Sequence, residues 1–355
     1  RMVKIMKMRK LIIGILLIST MFCANAQDKS KDIKYTFMYY NLENLFDTEN
    51  DPAINDEEFL PDGTKKWTEQ KYQKKLANMS KVLYSIASAQ KAYPTIIGVS
   101  EIENRRDVED LISQQSLLRG NYQIVHYDSP DLRGIDVALL YRPDQFTYEG
   151  SESFKLVVPE RPDFLTRDIL ATWGKIEGEL FCFYVTHLPS RRGGQYGSAY
   201  LRNAGAASIK QHADSMKVVY PDIKIVIMGD MNDNPTDPSL YEVLGASVEE
   251  PSDVAEGAFF NPYLKMYRQG YGTTAYQDEW SIFDNIIVSE SLINKGELTL
   301  LPSVTSDKYY GNIFKRPFMV QKRGQYKNYP QRTFSSNNFM NGFSDHYPVF
   351  IMIGK

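Results

Sequence analysis

Apolar, β-branched runs alternate with amphipathic stretches along most of the chain. Tyr72, Leu76, Met79 and Leu83 recur at helical spacing, which predicts a helix at 68–90 that covers a sheet. The same reasoning predicts helices at 107–118 and 198–216. Short apolar runs bounded by turn residues predict strands at 34–40, 95–100, 122–127, 135–141, 154–158, 169–176, 180–186 and 225–228.

Polar residues stand where several of these strands end. The strand that begins at Ile225 stops at Gly229, and Asp230 and Asn232 follow it. These two side chains project to the same side of an extended chain, because one residue separates them. A carboxylate and an amide in this arrangement suit a hard cation or a phosphoryl oxygen. A turn without chemistry is the alternative interpretation.

Two earlier strands end in the same kinds of group. The first ends at Asn41 and the strand at 95–100 ends at Glu101. A carboxylate at a strand end is typical of a metal ligand, and equally of an acidic residue that favours the start of a helix. Taken alone, Glu101 fits either interpretation.

Two further carboxylates lie within apolar strands, at Asp136 and Asp284. Each needs a histidine or a cation nearby, because an unpaired buried charge is unfavourable. His187 and His346 occur at strand boundaries. A carboxylate that holds an imidazole fixes its tautomer and raises its basicity, which prepares it for general acid or base catalysis.

Three arginines are candidates for binding a phosphate. Arg191 and Arg192 precede a pair of glycines, and Arg133 precedes Gly134. Residues 309–332 are aromatic and basic and contain no acid, so they could follow a nucleic-acid strand by charge and stacking. Ordinary solvated surface is the alternative for both features.

The N-terminal residues have the order of a secretory signal. Basic residues, an apolar run at 11–23 and Ala24-Asn25-Ala26 predict a signal peptide at 1–26 and a domain at 27–355, secreted or periplasmic. A lipid anchor at Cys23 is a weaker alternative, because Met21 and Phe22 are bulkier than a lipobox normally tolerates. An uncleaved membrane anchor is also weaker, because the run is short for a span. Cleavage would leave 36 of the 41 Lys and Arg against 44 Asp and Glu, a net charge of −8. Bulk charge therefore does not favour nucleic acid. Cys182 would have no partner for a disulfide within the chain.

Seven motifs, in this order, resemble those of the endonuclease/exonuclease/phosphatase superfamily, the DNase I-like fold. The resemblance implies an α/β (α+β) fold, a four-layer α/β/β/α sandwich of two mixed β-sheets with a metal site at one rim. The motifs are NLENLFD from Asn41, SEIEN from Ser100, GIDVALLYR from Gly134, THLPSRRGG from Thr186, GDMNDNP from Gly229, IFDNIIVS from Ile282 and SDHYPV from Ser344.

The resemblance also implies roles for individual residues. Glu101 matches the principal Mg²⁺ ligand, supported by Asn41 and Asp345, although Mn²⁺ or Ca²⁺ would fit oxygen ligands as well. His346 matches the base that activates water.

The other matched positions surround that base. Asp284 would hold His346, and Asp230 and Asn232 would steady the nucleophile and the phosphoryl oxygens. His187 matches a phosphate-contacting or acid histidine, with Asp136 as its expected carboxylate partner.

The function predicted from these residues is a secreted, metal-dependent phosphodiesterase, with nucleic acid as the favoured substrate and an endonuclease as the favoured type. A sphingomyelinase-like or inositol-phosphate phosphatase-like enzyme is the main alternative, with a phospholipid or an inositol phosphate as substrate. The phosphatase branch has Trp-Cys-Asp-Arg where this chain has Ile282-Phe283-Asp284-Asn285, which weakens that version. A catalytically inactive binding module is the third possibility. A monomer without a stable protein partner is expected.

Overall fold

Two large mixed β-sheets form the centre of the protein in a computed structural model that describes residues 34–355. The segment predicted as a signal peptide, 1–26, lies outside the described residues, so that assignment stays a prediction. Among residues 34–355 no helix is long and apolar enough to cross a membrane.

Short connections join most of the elements. In chain order the strands are β1 (Lys34–Leu45), β2 (Ile96–Ile102), β3 (Gln123–His126), β4 (Asp136–Tyr141), β5 (Thr147–Phe154), β6 (Ile169–Ile176), β7 (Glu179–His187), β8 (Lys224–Asp230), β9 (Phe259–Phe260), β10 (Thr274–Tyr276), β11 (Glu279–Ser281), β12 (Asp284–Ser289), β13 (Thr299–Leu301), β14 (Gly311–Ile313), β15 (Phe334–Ser335), β16 (Asn338–Phe339) and β17 (Val349–Gly354). The helices are α1 (Glu69–Gln90), α2 (Arg105–Ile112), α3 (Gln195–Val219), α4 (Leu264–Arg268) and α5 (Ser291–Asn294).

Each large sheet contains one parallel pair of strands that reaches the same edge of the fold. The first sheet has the order β13-β17-β1-β2-β4-β3, with β14 paired to β17, and β1 runs parallel to β2. The second has the order β5-β6-β7-β8-β12-β9, and β7 runs parallel to β8. Two small hairpins, β10–β11 and β15–β16, lie outside both sheets.

Alternating side chains of the central strands pack on opposite faces of each sheet. Phe37 and Tyr39 of β1 join the core between the two sheets, whereas Met38 and Tyr40 pack with α1 on the outer face. A third apolar cluster lies between the second sheet and α3. These three apolar layers separate four layers of secondary structure. The predicted four-layer fold is therefore confirmed.

Most predicted elements have the expected places, and two differ for clear reasons. The helix at 68–90 and the strand at 169–176 correspond to α1 and β6. The predicted strand at 154–158 is wrong, because the paired strand is β5, an exposed and polar segment. The helix predicted at 107–118 corresponds to the shorter α2, which ends at Ile112. It begins after Asn104, which forms a capping box with Asp107.

Replacement of Phe37 tests the core between the sheets. The Phe37 ring packs edge-on against Phe181 and Phe183 of the opposite sheet, with centroid distances of 5.7 and 4.9 Å. Phe37→Ala should lower the free energy of unfolding by about 3–5 kcal/mol in urea denaturation, because it leaves a cavity. Tyr84→Ala, at an exposed position of α1, is the control. Equal losses for both variants would contradict this packing.

Candidate active site

Three polar residues of the second sheet stand in one row across neighbouring strands. His187, the last residue of β7, is in register with Asp230, the last residue of β8. Asp230 is in turn in register with Asp284, the first residue of β12. The strands approach closely here, since a Cβ atom at Gly229 would lie 2.1 Å from the carbonyl oxygen of Thr186. The glycine thus allows β7 and β8 to bring the row together.

The first sheet supplies the opposite side of the site. Asn41 of β1 donates from Nδ2 to Glu101 Oε1 at 3.1 Å and to Asp230 Oδ2 at 3.0 Å, so it connects the two sheets. Glu101 has a left-handed backbone, with φ of 58°, and Asn44 N donates to its Oε2 at 3.0 Å. Since the Oδ1 of Asn41 accepts from Glu43 N, Asn41 orients the two carboxylates through its amide nitrogen.

His346 closes the site from the segment before β17. Its Nδ1 lies 2.7 Å from Asp284 Oδ2, and its Nε2 lies 3.7 Å from Asp230 Oδ2. Burial alone would lower the pKa of His346, but Asp284 and Asp230 outweigh burial and hold this pKa well above its usual value. Asp284 therefore both orients the imidazole and strengthens its hold on a proton.

His187 has the opposite electrostatic character. Its Nε2 lies 3.7 Å from Asp230 Oδ2 and 3.9 Å from Glu101 Oε1, and its buried Nδ1 has no hydrogen-bond partner. Burial and the nearby Arg167 and Arg133 lower the pKa of His187 well below its usual value. The ring is therefore neutral, and a proton on Nε2 avoids a buried N–H without an acceptor.

Asp230 is the carboxylate at the centre of the site. Burial raises its pKa to about 6, His346 opposes that rise and Asp284 adds to it. Asn232 N donates to Asp230 Oδ1 at 2.9 Å, and the Nδ2 of Asn232 donates to Leu188 O at 2.9 Å. Asn232 thus fixes the turn that follows β8.

The donor set fits a divalent cation. Glu101, His187 and Asp230 each offer a ligand atom, and these atoms lie within 4.8 Å of one another. Asp230, Asp284 and His346 do the same. Because Nδ1 of His346 already binds Asp284, the carboxylates of Glu101 and Asp230 are the better ligands, and carboxylate oxygens suit hard cations.

Comparison with known proteins identifies the family. The model of the endonuclease/exonuclease/phosphatase family matches residues 36–355. The chain belongs to this family. The predicted family is therefore confirmed, whereas the role of each site residue stays a prediction. No curated protein matches the chain significantly.

Solved structures of low sequence identity share the fold. A humanized D. rerio TDP2 with 14 mutations is 13% identical, with a TM-score of 0.53 over 91% of this chain and 99% of that chain. A mannosyl-6-phosphatase of Bacteroides thetaiotaomicron is 16% identical, with a TM-score of 0.54 over 90% and 99%. The human Nocturnin catalytic domain with bound sulfate is 17% identical, with a TM-score of 0.51 over 91% and 96%. At these identities the likeness shows the fold alone.

The expected pairing of Asp136 with His187 is wrong. Asp136 Oδ2 lies 3.0 Å from His126 Nε2, and Asp136 Oδ1 accepts from Ser129 N at 3.0 Å. The cause is local, because β3 and β4 pair antiparallel and place His126 opposite Ala138, two residues from Asp136 on the same strand. Both strands were predicted and follow one another in the chain, so this partner could have been found from the sequence.

The three arginines predicted to bind substrate differ in availability. Arg191 is engaged within the protein: it donates to Asn232 O at 2.8 Å and to Asp237 Oδ2 at 2.6 Å, which corrects its expected role as a free phosphate ligand. Acidic residues in the turn after β8 account for this. Arg192 is exposed. Arg133 is half-exposed, and its Nε lies 3.7 Å from Asp131 Oδ1. For these two, substrate binding stays a prediction.

A charged network behind Asp345 was not predicted from the sequence. Arg332 donates to Asp345 Oδ2 at 2.8 Å and its Nε lies 3.4 Å from Glu43 Oε1. Fully buried Lys75 donates to Glu43 O at 3.1 Å and to Phe343 O at 2.9 Å. The network joins residues far apart in sequence, so no local pattern indicated it. It holds Asp345 beside His346, whose Nε2 lies 3.9 Å from Asp345 Oδ1.

Arg167 was also missed. It is buried, and donates to His187 O at 3.1 Å, to Leu188 O at 2.9 Å and to Asp131 Oδ2 at 3.0 Å. These bonds satisfy the carbonyl groups where β7 ends. Arg167 thus anchors the segment that carries His187, and its positive charge adds to burial in lowering the pKa of this histidine.

A second acidic cluster lies close behind Glu101. Asp47, Glu103 and Asp107 are buried, with ligand atoms within 4.8 Å of one another. Burial raises the pKa of Glu103 to about 8; the hydrogen bond donated by Asp47 N opposes this rise, and the carboxylate of Asp47 adds to it. The folded protein therefore holds a proton on Glu103 over a range of pH in which an unfolded chain has lost it.

Replacement of Asp284 tests the electrostatics of His346. Asp284→Asn removes the carboxylate that raises the pKa of His346, so this pKa should fall relative to that of the unsubstituted protein. NMR titration of the histidine rings in EDTA, with His346→Gln to assign the signal, measures the change. Asp128→Asn, at an exposed position, should leave it in place. An unchanged titration in Asp284→Asn would contradict the assigned pair.

Replacement of Glu103 tests the acidic cluster. Because the folded state raises the pKa of Glu103 from 4.5 to about 8, its contribution to the free energy of unfolding should decline as pH rises through this interval. Glu103→Gln lacks this proton, so it should gain stability relative to the unsubstituted protein as pH rises from 4.5 to 8. Urea denaturation in EDTA measures the difference, with exposed Glu109→Gln as the control. Parallel pH profiles would contradict the expectation.

Proposed function

We propose that the protein is a secreted, divalent-metal-dependent phosphodiesterase that cleaves nucleic acid. The observation that carries the proposal is the contact of His346 with Asp284, which directs Nε2 of His346 towards Asp230 in the same cluster as Glu101. An oriented imidazole beside a carboxylate pair is suited to activating water next to a phosphorus atom.

Each residue has a separate part in the hydrolysis. His346 takes the proton of the attacking water at Nε2 as the new O–P bond forms, and the bond to the leaving oxygen breaks as that oxygen takes a proton from solvent. Neutral His187 donates a hydrogen bond from Nε2 to a phosphoryl oxygen. Glu101 and Asp230 would hold the cation, with Asn41 fixing both carboxylates. The cation would neutralise charge on the phosphoryl oxygens and weaken the hold of Asp230 on the His346 proton.

A nucleic-acid substrate is supported by the segment at 309–332. Its basic residues Lys322, Arg323 and Lys327 are exposed, and the segment reaches the site through Arg332, which contacts Asp345. Exposed positive charge beside the catalytic histidine would attract a phosphate backbone locally, although the chain is acidic as a whole.

A sugar-phosphate phosphatase is the second candidate. The likeness to the mannosyl-6-phosphatase of Bacteroides thetaiotaomicron favours it, because that protein has the same fold over nearly its whole length. The same cluster of residues could hydrolyse a phosphomonoester, since water attacks the phosphorus atom of a monoester and of a diester alike. The two candidates differ in what must be bound beside the phosphate.

Activity assays of two variants test the proposal. The protein is expected to cleave DNA or RNA with Mg²⁺ and not with EDTA. Glu101→Ala and His346→Ala should each lower the rate by about 100-fold or more, through loss of the cation and of the general base. Glu109→Ala and His212→Ala, which replace the same residue types outside the site, should keep the rate.

The outcomes separate the candidates. Phosphate release from a hexose 6-phosphate alone would replace the nuclease proposal by the second candidate. Full activity of His346→Ala would overturn the catalytic assignment, and no hydrolysis of any phosphoester would favour an inactive binding module.

A further inference from the structure

A cavity of about 400 Å³ opens directly beside the catalytic cluster. Its walls are the β10–β11 hairpin and the segment at 325–332, and its inner end is formed by Arg332 and Asp345. Asp345 Oδ1 lies 3.9 Å from Nε2 of His346. A group bound in the cavity would therefore be next to the phosphate that His346 acts on.

The hairpin wall is fixed to the catalytic segment. Thr274 Oγ1 donates to Asp345 O at 2.9 Å, and Tyr347 N donates to Thr273 O at 2.8 Å. At the tip, Gln277 and Asp278 both have positive φ, as a two-residue hairpin turn requires. The wall is thus held in place relative to His346, and Trp280 of β11 packs it against the core.

Aromatic rings lead from the catalytic segment to the cavity. Buried Tyr347 stacks on Trp280 with an interplanar angle of 9°, Trp280 contacts Tyr329 at a centroid distance of 6.0 Å, and Tyr329 contacts Tyr326 at 5.8 Å. Tyr329 also donates to Asp278 Oδ1 at 2.8 Å, which joins the two walls. Outer rings remain accessible, because Tyr276 is 76% exposed and Tyr326 is 40% exposed.

The chemistry of the walls matches a flat, polar-edged ring. Tyr276 and Tyr326 offer aromatic faces, and Gln277 and Gln325 offer amides that can both donate and accept. Lys322 and Lys327 lie exposed on the same segment, where they would meet the next phosphate of a chain.

We infer that this cavity holds one unpaired nucleobase of the substrate, stacked on Tyr276 and Tyr326, while the adjoining phosphate lies at His346. The inference rests on the proposed function and specifies its substrate as single-stranded nucleic acid. A volume of about 400 Å³ accommodates a single nucleoside. A base within a duplex would have to leave its stack to enter, which is unfavourable by a few kcal/mol.

Matched oligonucleotides test the inference. The protein should cleave a single-stranded oligonucleotide at least about tenfold faster, as kcat/KM, than an abasic oligonucleotide with the same backbone, since stacking on an aromatic residue is worth that much per base. Tyr276→Ala and Tyr326→Ala should remove this preference by lowering cleavage of the base-bearing strand only. Tyr220→Ala, an exposed tyrosine beyond the far end of α3, should preserve it.

Binding without turnover provides a second measurement. In EDTA, the base-bearing strand should bind more tightly than the abasic strand by fluorescence anisotropy, and both tyrosine variants should bind the two strands alike. Binding should also change the fluorescence of Trp280, which contacts Tyr329 at the cavity.

Each outcome separates this inference from the proposed function. Equal cleavage of the base-bearing and abasic strands would overturn the inference and leave the nuclease proposal intact, as would a preference for duplex. Cleavage of neither strand would overturn the nuclease proposal itself. If hexose 6-phosphate is hydrolysed and Tyr276→Ala raises its KM, the cavity binds a sugar and the inference is wrong.

Discussion

The carboxylate of Asp230 lies almost fully buried where the ends of the two sheets meet, and the surrounding structure compensates for its burial. An isolated carboxylate in such a place would be protonated or would destabilise the fold. Here Asn41 donates from the first sheet, Asn232 N donates from the next turn, and His346 approaches from the segment before the last strand. Because these groups come from distant parts of the chain, the site forms only when both sheets have packed together.

The same arrangement separates the two histidines chemically. The carboxylates of Asp284 and Asp230 outweigh burial and hold the pKa of His346 above its usual value, whereas burial, together with Arg167 and Arg133, lowers the pKa of His187. One ring can therefore exchange a proton while the other donates a hydrogen bond. The difference comes from the neighbours of each ring, since both rings are buried and both lie 3.7 Å from Asp230.

Local sequence pattern was enough to predict the parts of the structure that depend on local physics. Buried strands such as β6 and the long helix α1 follow from apolar periodicity, and Glu101 and Asp230 follow from where those runs stop. The expected strand end at Asn41 is wrong, because β1 continues to Leu45. The structure brings Asp284 beside His346 and places both next to Asp230, whereas their roles stay a prediction.

Features that depend on tertiary contacts could not be predicted in this way. Strand β5 is polar and exposed, so its edge position in the sheet leaves no apolar signal. Arg332 contacts Glu43 across most of the chain length, and Arg191 is held by acidic residues of another turn. Asp136 differs, because its partner His126 lies on the neighbouring predicted strand, whereas the prediction paired Asp136 with the more distant His187.

Three side chains of the site lie on the strands of one sheet, whereas the walls of the neighbouring cavity lie on a hairpin and a loop, and this difference affects how such a protein can diversify. His187, Asp230 and Asp284 are placed by strand register, with Asp230 paired to one of the other two on each side. The β10–β11 hairpin and the loop at 321–330 lie outside both sheets. Their exposed tips can acquire new side chains at little expense to folding, so natural variation can redirect the choice of substrate while an unchanged set of strand ends continues to perform the hydrolysis.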